Sequence, residues 1–259
     1  WKLSVIRLVE IVTFLRYTPL KKITTEMLRK YLVEYQTINN CGKVTVDNIR
    51  RSLSTFFSWL EEEDYIVKSP MKRIHKVKTA IVIKDTIPDE KVEILRDNCN
   101  NLRDRAMIDF LLSTGIRVGE LVRLNIDDID FSERECVVYG KGDKERKAYF
   151  DAKTKIHLIN YIESRTDDNS ALFVSLNKPH NRLTESGVEL RLREMGKRLG
   201  VEKVHPHKFR RTMATRAIEK GMPIEQVQKI LGHEQIDTTL RYAMVNQNNV
   251  KLAHRKYIS

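Results

Sequence analysis

Residues 112–121 read Leu-Ser-Thr-Gly-Ile-Arg-Val-Gly-Glu-Leu, and they decide how the C-terminal part of the chain is interpreted. An apolar helix leads into this stretch and stops at the Thr-Gly turn, so a second helix is predicted to begin near Arg117. The first backbone N–H groups of a helix have no partner within it and favour an anion. Glu120 follows on the same face, where its carboxylate can orient the arginine. The stretch predicts a helix-turn-helix with an arginine beside an anion site, although a surface or capping role fits the same residues.

Residues 205–212 read His-Pro-His-Lys-Phe-Arg-Arg-Thr and place another arginine near a helix start. With a helix beginning around Pro206, His207 and Arg210 lie on one face and present an imidazole and a guanidinium to one point. A zinc site is the alternative, with three nitrogen ligands from His205, His207 and His233. Arg210 and Arg211 are expected to crowd that position with positive charge, which opposes a cation. We therefore favour an anion over a metal here.

Residues 230–242 read Ile-Leu-Gly-His-Glu-Gln-Ile-Asp-Thr-Thr-Leu-Arg-Tyr. Gly232 is predicted to end a helix over residues 224–231 and to leave His233 at a turn. Tyr242 lies on the next helix. Nine tyrosines occur in the chain, and most tyrosines are packing residues, so this one alone is weak evidence of chemistry.

The remaining pattern predicts a mainly helical protein with a small β-hairpin, an α+β fold. Three helices are predicted in the N-terminal region, over residues 1–17, 25–36 and 45–65. A basic run at residues 68–78 leads into a linker, and a further helix begins at Asp89. Two β-rich segments, residues 133–139 and 145–150, flank a turn with the sequence Gly-Lys-Gly-Asp-Lys at residues 140–144. Glycines in such a turn permit a tight hairpin.

The composition favours a polyanionic partner. Among 259 residues, 47 Lys and Arg stand against 35 Asp and Glu, a net charge of +12, so a nucleic acid is expected. No apolar run approaches the roughly 20 residues of a membrane span and no export signal opens the chain, so we expect a cytoplasmic protein without membrane contact. Three widely spaced cysteines form no CxxC pair and predict neither a disulfide framework nor a zinc finger. They are Cys41, Cys99 and Cys136.

Together, these segments resemble the tyrosine recombinase family, which includes the Xer-like, phage and transposon integrases. The resemblance rests on residues 114–121, 140–146 and 207–212, and on Leu231-Gly232-His233 followed by Tyr242 nine residues later. It implies a helical core-binding domain over residues 1–78, a basic linker at 79–87 and a catalytic domain over 88–259. A C-terminal tail helix is expected at about 245–259.

The resemblance implies that Tyr242 attacks a DNA phosphodiester and leaves a 3′-phosphotyrosyl link and a free 5′-hydroxyl. Arg117 and Arg210 would clamp the non-bridging oxygens, with Glu120 supporting Arg117. Lys141 would protonate the leaving 5′-oxygen. His207 and His233 would donate hydrogen bonds to the phosphate or take the tyrosine proton, in an order the motifs leave open.

No metal and no other cofactor is implied. Two guanidiniums can bind the charge of a transferring phosphoryl group without a metal ion. The phosphotyrosyl bond also conserves the energy of the broken linkage, so another 5′-hydroxyl can reseal it without ATP. This agrees with a sequence that has no GxxxxGK[ST] phosphate loop.

The implied partners are double-stranded DNA at attachment or core sites and further copies of the chain. The tail is expected to dock in trans and to build a dimer or tetramer on DNA. Basic residues of the N-terminal region and the hairpin are candidate DNA contacts; they are Arg50, Arg51, Lys72, Arg73, Lys76, Lys78 and Lys144.

Three other functions compete with recombination. A type IB topoisomerase-like enzyme shares the arginine, lysine and tyrosine chemistry, and a catalytically silent DNA-binding protein shares the scaffold. A metal-dependent nuclease is least favoured, because its carboxylates, Asp127, Asp128 and Asp130, are predicted to lie in a solvated turn ahead of a strand.

Overall fold

The computed structural model describes residues 9–11, 13–14, 18–77, 85–140 and 144–243, apart from the side chains of Arg241 and Ala243. The chain divides into two compact units, Trp1–Val82 and Ile83–Ser259. Several predicted features lie wholly or largely outside the described residues: the helix over 1–17, Lys78, most of the linker at 79–87, Lys141 and the tail at 245–259.

The N-terminal unit is helical, as predicted. Helix α1 spans Thr25–Ile38 and α2 spans Lys43–Glu62, with short 3₁₀ turns at Leu20–Lys22 and Pro70–Arg73. The hydroxyl of Thr24 accepts a hydrogen bond from the backbone N–H of Met27 at 3.3 Å, which caps the first turn of α1.

The core of this unit is formed where α1 packs on α2. The buried face of α2 carries Ile49, Leu53, Phe57 and Leu60. An apolar pattern over residues 49–60 predicts Trp59 on the same stripe, but Trp59 is 46% exposed. At 100° per residue it points about 120° away from Leu53, outside the buried face.

The C-terminal unit contains eight further helices within the described residues. They are α3 (Asp89–Asp97), α4 (Leu102–Thr114), α5 (Val118–Leu121), α6 (Ala152–Glu163), α7 (Glu185–Arg198), α8 (Pro206–Glu219), α9 (Ile224–Leu231) and α10 (Ile236–Ala243). The predicted start of α8 and both predicted ends of α9 are confirmed.

The predicted hairpin is confirmed as part of a three-stranded antiparallel sheet in the order β1-β2-β3, with strands β1 (Ile129–Asp130), β2 (Glu135–Tyr139) and β3 (Glu145–Tyr149). In the β2–β3 register, Val138 pairs with Arg146. The sequence did not predict β1. Asp130 lies in that strand, and the other two aspartates of the cluster lie in the preceding 3₁₀ turn, Ile126–Asp128.

Helix α4 forms the centre of the C-terminal unit. It is apolar around most of its circumference, with Met107, Ile108, Phe110 and Leu111 fully buried, as expected of a helix surrounded by other elements. It packs against α6 and α8. The end of α4 therefore lies next to the helix that carries Arg210.

The three cysteines are free thiols. Burial raises the pKa of the Cys99 thiol to about 11 and that of the Cys136 thiol to about 12. Thiols that ionise so reluctantly are poor nucleophiles, and these two are packing residues.

Candidate active site

Two glycine turns form the frame of the site. Gly115 ends α4 and Gly232 ends α9, with φ of 60° and 62° in the left-handed region that glycine adopts without strain. The last carbonyl groups of a helix have no partner within the helix. These turns therefore present acceptor oxygens that another part of the chain must satisfy.

Arg210 on α8 satisfies carbonyl groups from both turns. Its Nη1 donates to the Gly115 carbonyl at 2.6 Å and its Nη2 donates to the Leu231 carbonyl at 2.5 Å. The residue is only 4% exposed. A cation at two helix C-termini is favoured by both helix dipoles, so Arg210 joins two segments that are far apart in sequence.

Burial, followed by the positive charges of Arg117 and Arg146, lowers the pKa of the Arg210 guanidinium to about 10. At neutral pH the group still carries its charge. Several cations close together favour an anion at this position.

Arg117 precedes α5 and is held by Glu120. Its Nη1 donates to Oε1 of Glu120 at 2.7 Å, and its backbone N–H donates to Oε2 of the same carboxylate at 2.8 Å. Its Nη2 donates to the Gly232 carbonyl at 3.2 Å. The Arg117 side chain nevertheless remains 35% exposed. Its guanidinium therefore faces the cavity, although these hydrogen bonds hold it in place.

Arg146 on β3 is a site residue that sequence reasoning missed. Its Nη2 donates to Oε2 of Glu120 at 2.6 Å and its Nη1 to the Ile230 carbonyl at 2.9 Å. A signal was present, because alternation along β3 places Arg146 on the same face as the buried Ala148. A charged residue on the core-facing side of a strand needs a partner, and here that partner is Glu120.

His233 follows the Gly232 turn and contacts Arg210. The Nη2 of Arg210 lies 3.1 Å from Nε2 of His233, and Nδ1 of His233 lies 2.9 Å from the hydroxyl of the fully buried Thr239. Because an arginine only donates, Nε2 must be the accepting nitrogen. The arrangement assigns the proton of a neutral imidazole to Nδ1, which donates to Thr239.

The pKa of His233 agrees with that assignment. Burial, followed by the charges of Arg210, Arg117 and Arg146, lowers it to about 4. His233 is therefore neutral at physiological pH. Thr239 is the second site residue that the sequence analysis missed, and its separation of six residues from His233 carries no chemical signal by itself.

Tyr242 on α10 lies beside His233, with the two rings stacked at a centroid distance of 6.0 Å. It is partly buried against an apolar cluster of α8 and α9 that includes Ala214, Val227 and Leu231. A negative charge on its phenol raises the pKa of Arg210. The tyrosine of the third sequence segment thus lies close to the arginine of the second.

Some of these groups line an open cavity of about 500 Å³. Its walls include Arg117, Arg146, His233 and Thr238, and its rim includes Lys144 and Glu234. Lys144 and Glu234 are both exposed and form an ion pair at 2.6 Å. Lys141 belongs to the same hairpin turn but lies outside the described residues.

His207 lies exposed in the first turn of α8, and its ring centroid is 6.4 Å from that of His205. Arg211 does not share the position of Arg210, contrary to the sequence interpretation, because successive helical residues point about 100° apart. Arg211 donates to the Asp85 carbonyl at 2.9 Å. Burial lowers the pKa of His205, and the positive charge of Arg211 is the second cause of this shift.

The candidate DNA contacts of the N-terminal unit differ in exposure. Lys72, Arg73 and Lys76 are exposed, although Lys72 pairs with Glu61 at 2.5 Å. Arg50 and Arg51 both pair with Asp47, and their side chains are 13% and 64% exposed. Arg50 is therefore mostly committed within its own unit.

In the part of the chain that the structure describes, no three His, Cys, Asp or Glu side chains are grouped so that they could hold a metal ion. Within the same residues, no helix has the length and apolar character needed to cross a bilayer.

The chain is similar to known proteins in sequence and in fold. The model of the phage integrase family matches residues 86–249. A tyrosine recombinase XerC from Staphylococcus aureus is 32% identical over 231 residues, which cover 86% of this chain and 77% of the relative. This chain belongs to the phage integrase family.

Solved structures support the fold of this phage integrase family member. A crystal structure of XerA recombinase is 26% identical, with a TM-score of 0.61, and the match covers 100% of this chain and 92% of that one. The Tn1549 transposon integrase in complex with transposon right end DNA is 20% identical, with a TM-score of 0.83 and coverage of 100% and 93%.

The family resemblance inferred from the motifs is thereby confirmed, as is the mainly helical fold with a small sheet. The protein is a tyrosine-type site-specific DNA recombinase. Topoisomerase-like relaxation and silent DNA binding are not favoured.

Proposed function

We propose that this recombinase cuts one DNA strand with Tyr242, holds it as a 3′-phosphotyrosyl link and passes it to another 5′-hydroxyl. The observation that carries the assignment is that Arg117 and His233 line one open cavity, while Arg210 and Tyr242, from two further helices, both contact His233. Packing alone does not require two arginines, a neutral histidine and a tyrosine at one point.

In this proposal, Arg117 and Arg210 bind the non-bridging oxygens of the scissile phosphate. Phosphoryl transfer spreads negative charge over these oxygens, and fixed guanidiniums stabilise that charge without reorganising during the reaction. Both arginines are fixed before DNA arrives, Arg210 by two helix ends and Arg117 by Glu120. No metal ion is needed for this charge neutralisation.

The phenol oxygen of Tyr242 attacks phosphorus, and the bond from phosphorus to the 5′-oxygen breaks. Lys141 is assigned to protonate that leaving oxygen, on the strength of its position in the hairpin motif. His233 is a poor acceptor for the phenol proton, since its pKa is lowered to about 4 and its Nε2 already faces Arg210. We therefore assign proton acceptance to His207 and the positioning of the tyrosine ring to His233. Resealing runs the same steps in reverse.

The proposed substrate is duplex DNA. We propose that several copies of the chain bind it together. A lambda integrase has been solved as a dimer bound to a core site, and XerH as a complex with its difH substrate. We propose that this chain also assembles on DNA as a dimer or tetramer, with its tail docking in trans. Such a reaction belongs in the compartment that holds the DNA, the cytoplasm of a bacterial or archaeal cell.

Covalent capture tests the assignment of Tyr242. Bound sites are first enriched from a pool of random duplexes, and a nick placed near the expected cut lets the short 5′-hydroxyl strand diffuse away. We expect a protein–DNA adduct on denaturing gels in EDTA, and no adduct with Tyr242→Phe. An adduct that survives in Tyr242→Phe assigns the nucleophile elsewhere, and no adduct from the native chain on any enriched site contradicts the proposed cleavage.

A further inference from the structure

Arg146 is the arginine of the cavity that the proposed mechanism does not use. We propose that Arg146 is a positioning residue of the recombination reaction, which acts through Glu120 and the Gly232 turn to hold Arg117 ready for the scissile phosphate. The inference rests on the proposed function, because it takes Arg117 as a phosphate-binding group.

The first argument comes from how the Glu120 carboxylate is shared. Oε1 accepts from Nη1 of Arg117 at 2.7 Å, whereas Oε2 accepts from Nη2 of Arg146 at 2.6 Å. A carboxylate facing one guanidinium tends to form two parallel hydrogen bonds with it. Oε2 also accepts from the backbone N–H of Arg117 at 2.8 Å. Because this N–H and Arg146 together occupy Oε2, the Arg117 side chain contacts only Oε1, and part of its guanidinium stays turned to the cavity.

The second argument comes from the turn on the other side of Arg117. Arg146 donates through Nη1 to the Ile230 carbonyl at 2.9 Å. It also packs directly under Gly232, where an added Cβ would lie 2.7 Å from both Cδ and Nε of Arg146. The Gly232 carbonyl in turn accepts from Nη2 of Arg117 at 3.2 Å. Arg146 thus supports both acceptors that fix the Arg117 side chain.

Ion pairing, rather than burial alone, separates this role from direct binding of the phosphate. The charge of Arg146 is met by Glu120 at 2.6 Å, and the two side chains are 11% and 3% exposed. Arg117 shares Glu120 but is 35% exposed. Arg210 is buried, but among the described residues it bonds only carbonyl groups and His233. A buried guanidinium that already has an ionic partner stabilises its neighbours more readily than it binds a phosphate.

The experiment measures single-turnover cleavage of the nicked duplex at saturating protein, together with DNA affinity and thermal unfolding. The variants are Arg146→Gln, Glu120→Gln, the double variant and Arg146→Lys. Arg165→Gln is the matched control, because Arg165 is also buried, pairs with Asp167 and donates to the Ala171 carbonyl at 2.6 Å, but does not line the cavity.

We expect Arg146→Gln to slow cleavage by about 10- to 100-fold, the usual effect of removing a supporting partner, while DNA affinity changes by less than about threefold. The double variant should be no slower than the slower single variant, because the two residues act as one unit. Arg146→Lys keeps a positive charge near Glu120 but loses the two Nη groups that bind Glu120 and the Ile230 carbonyl together. It should recover part of the rate. Arg165→Gln should cleave at the native rate.

Three results would overturn the inference: native cleavage by a folded Arg146→Gln, multiplied losses in the double variant, or an equal loss in Arg165→Gln at the same thermal midpoint. Multiplied losses together with a weaker salt dependence of binding would assign Arg146 to the phosphate itself. The native chain is run beside every variant. If it forms no adduct, the proposed function fails, whereas an adduct unaffected by Arg146→Gln contradicts this inference alone.

Discussion

The arginines of the N-terminal and C-terminal units are held in different ways. In the N-terminal unit, Arg50 and Arg51 extend from one helix and share the carboxylate of Asp47 three and four residues away. In the C-terminal unit, Arg117 also pairs with a carboxylate three residues away, but Arg117, Arg146 and Arg210 each donate in addition to a carbonyl group of a distant segment. The first arrangement is local, and the second exists only in the folded domain.

The two arrangements suit different roles, one in binding DNA and one in catalysis. An exposed arginine adds charge to a surface and attracts phosphates over a distance set by salt. A buried arginine held at several N–H groups keeps a fixed direction and stabilises charge that develops at one point. We expect the exposed residues to govern DNA affinity and the buried ones to govern the rate of cleavage.

Arg210→Lys tests whether a buried arginine governs the rate of cleavage rather than DNA affinity. A lysine cannot reach the Gly115 and Leu231 carbonyls and the phosphate together, so we expect single-turnover cleavage to fall by about 10²- to 10³-fold, as when one donor to a transition-state oxygen is lost. DNA affinity, measured by titration, should change little. A large loss of affinity with an unchanged rate on bound DNA would reverse the roles given to the two groups of arginines.

Acidification tests whether burial and the neighbouring cations lower the pKa of His233. The unfolded chain takes up a proton at His233 near pH 6.5, whereas the folded chain resists protonation until about pH 4. Between these values the unfolded state binds more protons, so the free energy of unfolding decreases as the pH is lowered through this window.

Thermal unfolding is measured from pH 7 to 4 for the native chain and for His233→Gln. The difference between the two gives the contribution of His233, because the carboxylates titrate in both. We expect the stability of the native chain to fall more steeply. Identical slopes would show that neither burial nor the neighbouring cations depress the pKa of His233 in the folded chain.

Arg50→Gln and Arg51→Gln form a matched pair within the N-terminal unit. Loss of Arg50 removes the 2.8 Å hydrogen bond to the buried Asp47 and should lower the free energy of unfolding by about 1–2 kcal/mol. Loss of the exposed Arg51 should leave stability unchanged and reduce the salt dependence of DNA binding by about one phosphate contact. Chemical denaturation and binding titrations at several salt concentrations measure both. Equal effects would show that burial does not separate these residues.

Lys144→Gln asks whether burial or location in the C-terminal unit decides the role of a cation. Its ion pair with Glu234 is exposed on both sides, and such pairs contribute little to stability. We expect no measurable shift in the thermal midpoint and a small loss of DNA affinity at low salt. A cleavage defect on fully bound DNA would place Lys144 with the buried arginines instead.

Local patterns were enough to predict the elements that carry the site. Gly115 and Gly232 after helices and Pro206 at a helix start each act on their immediate neighbours, and the structure follows them. The reaction was identified from four motifs in order, and the family comparison confirms it. β1 was missed because a strand of two residues has no period to detect.

Residues whose role depends on distant partners were not predicted. Arg146 is one of 47 Lys and Arg residues in the chain. Strand alternation puts it on the face of Ala148, but its partner Glu120 is 26 residues away and is brought to it only by the fold. Thr239 was missed for the same reason. Arg211, placed in the site by its neighbour, points to Asp85 because helical geometry turns adjacent side chains apart.

Sequence alone predicted the helices that carry the site, the hairpin, the two glycine turns and the chemical class of the reaction, because these depend on neighbouring residues and on motifs that keep their order. Only the tertiary structure decided which cations are buried, which carbonyls they satisfy and which imidazole nitrogen carries the proton. Burial and hydrogen-bond satisfaction are properties of groups brought together from distant positions, and no single segment contains both partners.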